Sequence, residues 1–351
     1  MEQLVSRPEY PFGTRLLIDL INAGDLPMIA EADIEPQYGY VGRLVYTDGT
    51  VRFFRNSNKG INNHGASSIC LDKGYTKYFL KKLGYTVPAG NTFLTDTYAA
   101  LIDTNLSQYG EHDYDTPDRL LDAAAAVGYP CVIKPNSMTS GGKGVFICYD
   151  AEDVRIALAS MLDEHIDVFL LEEHVPYADY RLVVFDGEVR LAYERQPLVI
   201  TGNGQSTLRE LLTQTRNDLW AQNRRVQIKD SDPRLTKKLR HSGYTLDSVL
   251  GEGESYQVYD AANASLGGQV VDVLETCHID WLQLAGRMAR KMGLRFCGID
   301  LLCEDITRAD GDYCVIEINA SPGMANYATL GDAALERVRM LYKDMFSAPI
   351  K

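Results

Sequence analysis

Two runs near the C-terminus, FCGIDLLCED at 296–305 and YCVIEINAS at 313–321, each place a carboxylate in the middle of a β-rich apolar stretch. Asp300 lies in GIDLL, while Glu317 and Asn319 stand two apart in VIEIN and so point to one face of their strand. Burying two carboxylates and an amide on adjacent strands is unfavourable unless a hard cation or an ordered set of donors compensates. Hard oxygen ligands of this kind suit magnesium bridging phosphates. The competing reading is a set of solvated strand-end groups.

A second signal lies upstream. The run YPCVIKP delivers Lys134 near the end of a strand, and the loop NSMTSGGKG follows with Lys143 inside SGGKG. Its glycines let backbone amides approach an anionic ligand closely, so the two lysines could hold nucleotide phosphates. The loop is not GxxxxGK[ST], and no early GxGxxG follows a strand, so neither usual nucleotide fingerprint applies. A glycine-rich loop standing alone is equally a turn. Glu172 and Glu173 end the strand VFLLEE and Asp179 follows a bend at Pro176; free carboxylates there suit an adenine amino group and ribose hydroxyls, or simply water. Arg181 and Arg195 each offer a rigid fork suited to a carboxylate or a developing oxyanion, or to a structural salt bridge.

The 351 residues are enough for two or three domains, and 45% hydrophobic against 24% charged residues describes a folded chain. With 48 acidic and 35 basic residues the net charge is −13, which disfavours nucleic acid and anionic membrane as partners. The seven cysteines are scattered without a CxxC pair and read as buried small hydrophobes of a reducing cytoplasm. No segment has the make-up of a signal peptide or a membrane span, and the expected location is cytoplasmic. A hairpin is expected around Asp48-Gly49 and another at Asp186-Gly187. The segment 72–84 reads as a helix with Tyr75, Phe79, Leu80 and Leu83 on one face and Gly84 at its C-terminal end. Residues 93–115 are poorly periodic. Residues 224–260 are charged and irregular, and are expected to form a partly mobile insert.

Taken in order, these pieces resemble the ATP-grasp carboxylate-amine ligase family, in particular the ATP-grasp portion of cyanophycin synthetase and of bifunctional glutathione synthetase. The resemblance rests on DKGYTK at 72–77, YPCVIKP with SGGKG at 129–144, LLEEHVPYADYRLVVFDGEV at 170–189, AYERQPLVITGNGQSTLREL at 192–211, NASLGG at 263–268, GIDLL at 298–302 and VIEINASPG at 315–323. It implies an α+β chain with an ATP-grasp fold: two α/β lobes clasping ATP over 71–345, with 130–190 as the glycine-loop nucleotide lobe and 191–345 as the metal and substrate lobe. Residues 1–70 would form a short substrate-side domain, with NNHGASSIC at 62–70 as a loop facing substrate.

The same resemblance implies residue roles. ATP would be bound by Lys73, Lys77, Lys134, Ser140, Gly141, Gly142, Lys143, Glu172, Glu173, the backbone near Val175, and Asp179. Mg2+, with Mn2+ as a substitute, would sit on Asp300, Glu317 and Asn319; Arg181, Arg195, Lys143 and Asn263 would serve the acyl phosphate and substrate. The implied reaction joins a carboxylate to an amine, both small molecules such as amino acids or short peptides, through an acyl phosphate. A homodimer is slightly preferred. The chain stops short of the Mur-ligase-like portion of cyanophycin synthetase, so a freestanding amino-acid or peptide ligase of specialised metabolism is expected. The alternatives are a dipeptide ligase of the D-alanine or glutathione type, a kinase ending at a phosphoester, and a nucleotide-binding regulator without catalysis.

Overall fold

A computed structural model describes residues 3–106, 113–137, 144–222, 224 and 226–348. Its centre is a five-stranded antiparallel sheet in the order β12-β9-β8-β13-β14. The strands are β8 (Ala178–Phe185), β9 (Glu188–Gln196), β12 (Gln269–Asp272), β13 (Phe296–Cys303) and β14 (Tyr313–Asn319). Alternation of side chains sends Leu182, Val184, Ile299 and Leu301 into one core, which also holds Trp281 and Met288 of the helix α9 (Ile279–Lys291). Val183, Phe185, Leu191 and Phe296 enter a second core on the opposite face. The expected turn at Asp186-Gly187 joins β8 to β9, with both residues at positive φ as a two-residue hairpin loop requires.

The N-terminal residues complete that second core. The strands β1 (Ile29–Ile34), β2 (Val41–Tyr46) and β3 (Val51–Arg55) form a small antiparallel sheet, and β2 and β3 are the hairpin expected around Asp48-Gly49. This sheet and α1 (Phe12–Asn22) pack on the C-terminal helix α11 (Asp332–Ser347). Arg52 is buried there and donates to the carbonyls of Met345 and Ala348 at 2.7 Å each, satisfying groups that a helix end leaves unpaired. Asn62 ties the following loop to the central sheet: its amide nitrogen donates to the carbonyls of Phe296 and Ala320, and its oxygen accepts from the N–H groups of Arg295 and Phe296. Asn63 caps α2 (His64–Ile69). The start of NNHGASSIC is therefore structural, and Ser57, just ahead of it, is what reaches the cavity described below.

A four-stranded antiparallel sheet, β4-β7-β5-β6, stands across the cleft. Its strands are β4 (Gly90–Leu94), β5 (Cys131–Pro135), β6 (Phe146–Cys148) and β7 (Val168–Glu173). The helices α5 (Leu120–Val127) and α6 (Ala151–Asp163) cover it around Phe93, Phe146, Phe169 and Met161. Helix α4 (Asp96–Leu106) occupies part of the segment that lacked periodicity. All seven cysteines are buried. The helices and wholly antiparallel sheets make an α+β chain.

Two local expectations need correction. Helix α3 (Lys73–Lys82) forms, and Gly84 lies just beyond it at φ 83°, but Tyr75 and Phe79 are 66% and 40% exposed. The buried side consists of Lys73, Thr76, Lys77 and Leu80. The described residues of 197–268 form a packed unit with a core of its own, not a loose insert. β10 (Val199–Thr201) pairs with β11 (Ser255–Gln257), and the helices α7 (Leu208–Ala221) and α8 (Pro233–Ser242) close a core of Leu208, Leu212, Leu235, Leu250, Val258 and Tyr259. The start and stop signals of α8 are present in the sequence: Asp232 caps it, Pro233 opens it and Gly243 ends it in the left-handed region.

Candidate active site

The two larger sheets face each other across a cavity of about 830 Å3. On the four-stranded side, Glu172 pairs in register with Val132, and Lys134 is two residues further along β5 and therefore on the same face. Lys77 reaches that face from α3. Its ammonium and that of Lys134 each lie 2.8 Å from one oxygen of Glu172, which is only 2% exposed. Burial acts to raise the Glu172 carboxyl, but the two ammonium groups outweigh it and hold the pKa below the ordinary value. Burial lowers the pKa of Lys77, with Glu172 opposing it. Lys73, one helical turn earlier, lines the cavity beside Asn136, and burial likewise lowers its pKa.

The five-stranded side is built from cross-strand pairs. Asp300 stands opposite Arg181 on β8 and opposite Glu317 on β14, and Asp179 stands opposite Arg195. The Asp300 carboxylate, 1% exposed, accepts from Nε and Nη2 of Arg181, the latter at 2.7 Å, and lies 2.9 Å from Nη2 of Arg195. The same Arg195 nitrogen donates to Asp179 at 2.7 Å. Burial acts to raise the Asp300 carboxyl, but the two guanidinium groups hold it below the ordinary range; Asp179, buried beside Asp300, is pushed up. Both arginines are held above their ordinary value because the carboxylates outweigh their burial. With its amide oriented to suit its neighbours, Asn319 donates to Glu317 at 3.1 Å and accepts from Arg181 at 3.0 Å.

Lys73, Lys134, Glu172, Glu173, Val175, Asp179, Arg181, Arg195, Asn263, Asp300, Glu317 and Asn319 all line this one cavity. Lys77 sits behind them against Glu172. Ser140, Gly141, Gly142 and Lys143 lie outside the described residues. Both glutamates at the end of β7 already accept hydrogen bonds: Glu172 is held by two lysines, and Glu173 accepts from the N–H of Ala89. Among the described residues, Nε of Arg195 and Nδ2 of Asn263 are buried donors without a partner. Asp300, Glu317 and Asn319 offer the hard oxygens a divalent cation requires. A carboxylate has about four acceptor positions, so Asp300 can hold its arginines and still offer a lone pair.

The sequence reading missed several lining residues. Val132, Ile147, Leu302 and Ile316 bring apolar side chains from both sheets, and Tyr149, Lys238 and Asp260 come from β6's end and the 197–268 unit. The apolar four are ordinary strand residues in sequence, and only the facing of two sheets brings them to one cavity.

The chain carries an ATP-grasp domain match: residues 102–209 fit the model of that domain. It is similar to the glutathione biosynthesis bifunctional protein GshAB of Streptococcus mutans, 29% identical over 286 residues, covering 78% of this chain and 35% of that protein. It is also similar to cyanophycin synthetase of Geminocystis herdmanii, 31% identical over 321 residues, covering 88% of this chain and 33% of that protein. The chain thus spans about a third of the length of these curated relatives. A solved bifunctional glutathione synthetase from Pasteurella multocida superposes with a TM-score of 0.56 at 22% identity, over 95% of this chain and 44% of that one, and shares the fold.

Proposed function

We propose that the chain is an ATP-dependent carboxylate-amine ligase. The γ-phosphoryl group of ATP passes to a substrate carboxylate, giving an acyl phosphate and ADP. An amine then attacks the acyl carbon, and phosphate leaves as the amide forms. The observation that carries this reading is one cleft with apolar strand faces and a lysine-lined wall on one side, and the Arg181–Asp300–Arg195 cluster with Glu317 and Asn319 on the other. The similarity to proteins named for glutathione biosynthesis and cyanophycin synthesis supports the same chemistry.

In this account the base lies between Val132, Ile147, Leu302 and Ile316, with the backbone near His174 and Val175 at its edge. Glu172 does not bind the base directly. It holds the ammonium groups of Lys77 and Lys134 at fixed positions, so that they and Lys73 face the phosphates without having to reorganise. Ser140, Gly141, Gly142 and Lys143, which lie outside the described residues, would bind the phosphates as the family resemblance implies. Arg181 and Arg195, both fixed by Asp300, face the oxyanion of the tetrahedral intermediate, and the unpartnered Nδ2 of Asn263 serves the substrate side. Asp300, Glu317 and Asn319 would hold Mg2+ or Mn2+, which supplies charge neutralisation for phosphoryl transfer. Among the described residues no helix is long and apolar enough to cross a membrane. We place the reaction in the cytoplasm, with small-molecule acid and amine substrates and a homodimeric assembly.

ADP release measured across a matrix of amino acids and amines tests the proposal, with mass analysis of each positive reaction. A product equal to acid plus amine minus water is expected. ADP release that needs only one organic substrate and yields a stable phosphoester would overturn it in favour of a kinase.

A further inference from the structure

We infer that residues 197–268 complete the nucleotide site, with Lys238 and Asp260 holding the sugar hydroxyls of the nucleotide. The inference rests on the nucleotide reading above and extends it to the charged segment for which the sequence suggested no role.

This unit is anchored to the four-stranded sheet through α8. Strand β6 is an edge strand, and an edge leaves backbone groups without a neighbour. The Lys237 ammonium takes the place of that neighbour: it donates to the carbonyl of Ile147 at 2.5 Å and to Asp260 at 3.0 Å, and lies 4.8 Å from the centre of the Tyr149 ring. Its side chain is 1% exposed. One turn further on, Arg240 and His241 bond to Asp153 of α6 at 2.6 and 2.7 Å. The unit is thereby fixed to the strand that receives the glycine-rich loop, and Lys238, Asp260 and Asn263 face the cavity from it.

The position and chemistry of Lys238 and Asp260 select a sugar. Lys237 bridges the carbonyl of Ile147 and the carboxylate of Asp260, and Ile147 lines the proposed base slot, so Asp260 and its partner Lys238 stand beside the base. In the reading above the phosphates meet Lys73, Lys77 and Lys134 instead. Asp260 accepts from Lys237, Lys238 and the Tyr149 hydroxyl, and the two lysines keep it ionised against its burial. Lys238 uses one N–H on Asp260 at 2.6 Å and lines the cavity with the remainder. Lys237 is spent on Asp260 and the Ile147 carbonyl, so the cavity meets Lys238 donors beside the Asp260 carboxylate acceptor. A vicinal diol can use both a donor and an acceptor, whereas a phosphate oxygen cannot donate to the carboxylate and is repelled by it, so the pair suits a diol.

Calorimetric titration of the full chain with ATP, 2′-deoxy-ATP and 3′-deoxy-ATP, with magnesium present, tests this without needing the organic substrates. The wild type should bind at least one deoxy nucleotide five- to tenfold more weakly than ATP. Lys238→Met should weaken ATP by a similar factor and leave that deoxy nucleotide within twofold; Lys238→Gln serves if the first variant is unstable. Equal binding of all three nucleotides by the wild type, or full discrimination retained in the Lys238 variants, would overturn the inference while leaving the nucleotide reading intact. A wild type that binds none of the three would overturn both.

Discussion

Asp300 and Glu317 stand opposite each other on neighbouring strands, yet they do different work, and substitution should separate them. Asp300→Asn removes the charge between two buried guanidinium groups and should cost about 3–5 kcal/mol of stability in urea unfolding, because uncompensated buried charge is strongly destabilising. Glu317→Gln keeps the amide-sized shape and should stay within about 1 kcal/mol of the wild type while turnover is lost. Equal destabilisation by both would remove the anchoring role from Asp300. Lys59 gives a third residue-scale prediction. It is buried beside Tyr342, donates to the Asn56 carbonyl at 2.6 Å and has no carboxylate partner among the described residues, and burial lowers its pKa from 10.5 to about 7. The unfolded chain therefore binds one more proton than the folded chain between about pH 7 and 10, and this group makes stability rise with pH across that window. Lys59→Met should remove the rise, flattening the stability curve from pH 7 to 9 by roughly 1–3 kcal/mol; an unchanged slope would contradict it. At this scale the sequence was most informative where a charge interrupts a strand. Asp300, Glu317, Arg181 and Arg195 stood out for that reason. Lys59 and Asn62 did not, since their environments are made by contacts distant in the chain.

Helix α3 shows why element boundaries were easier to read than faces. Its stop at Gly84 is where expected, and Asp72, the first residue of the expected helical segment, caps it, also a local signal. Its orientation follows from Glu172, almost a hundred residues away, which makes the burial of Lys77 favourable over that of Tyr75 or Phe79. Helix α8 carried equally plain signals, but the dense charge of residues 224–260 suggested solvation, when those charges in fact meet Asp260 within the unit and Asp150 and Asp153 at the start of α6. An element-scale prediction concerns α11. Arg52 bonds its last carbonyls, so Arg52→Met should cost about 2–4 kcal/mol in chemical unfolding, the sum of orphaned carbonyls and a lost charged donor. A change under about 0.5 kcal/mol would mean that solvent satisfies those groups instead.

At the scale of the whole molecule, a chain of net charge −13 gathers Lys73, Lys134, Arg181, Arg195 and Lys238 around one cavity. Buried carboxylates hold most of these cations in place, so the cleft is arranged for anionic oxygens before any arrive. Nucleotide should accordingly stabilise the fold, by about 2.7 kcal/mol at a hundred times its dissociation constant, and a melting temperature unmoved by magnesium-ATP would argue against the site. The central claim is that a carboxylate oxygen of the substrate becomes bonded to phosphorus. Its most direct measurement uses the acid identified by product analysis, labelled with 18O in both carboxylate oxygens, with ATP and the amine. The account predicts one labelled oxygen in each phosphate released. Unlabelled phosphate, with the label retained in the organic product or released as water, would contradict it.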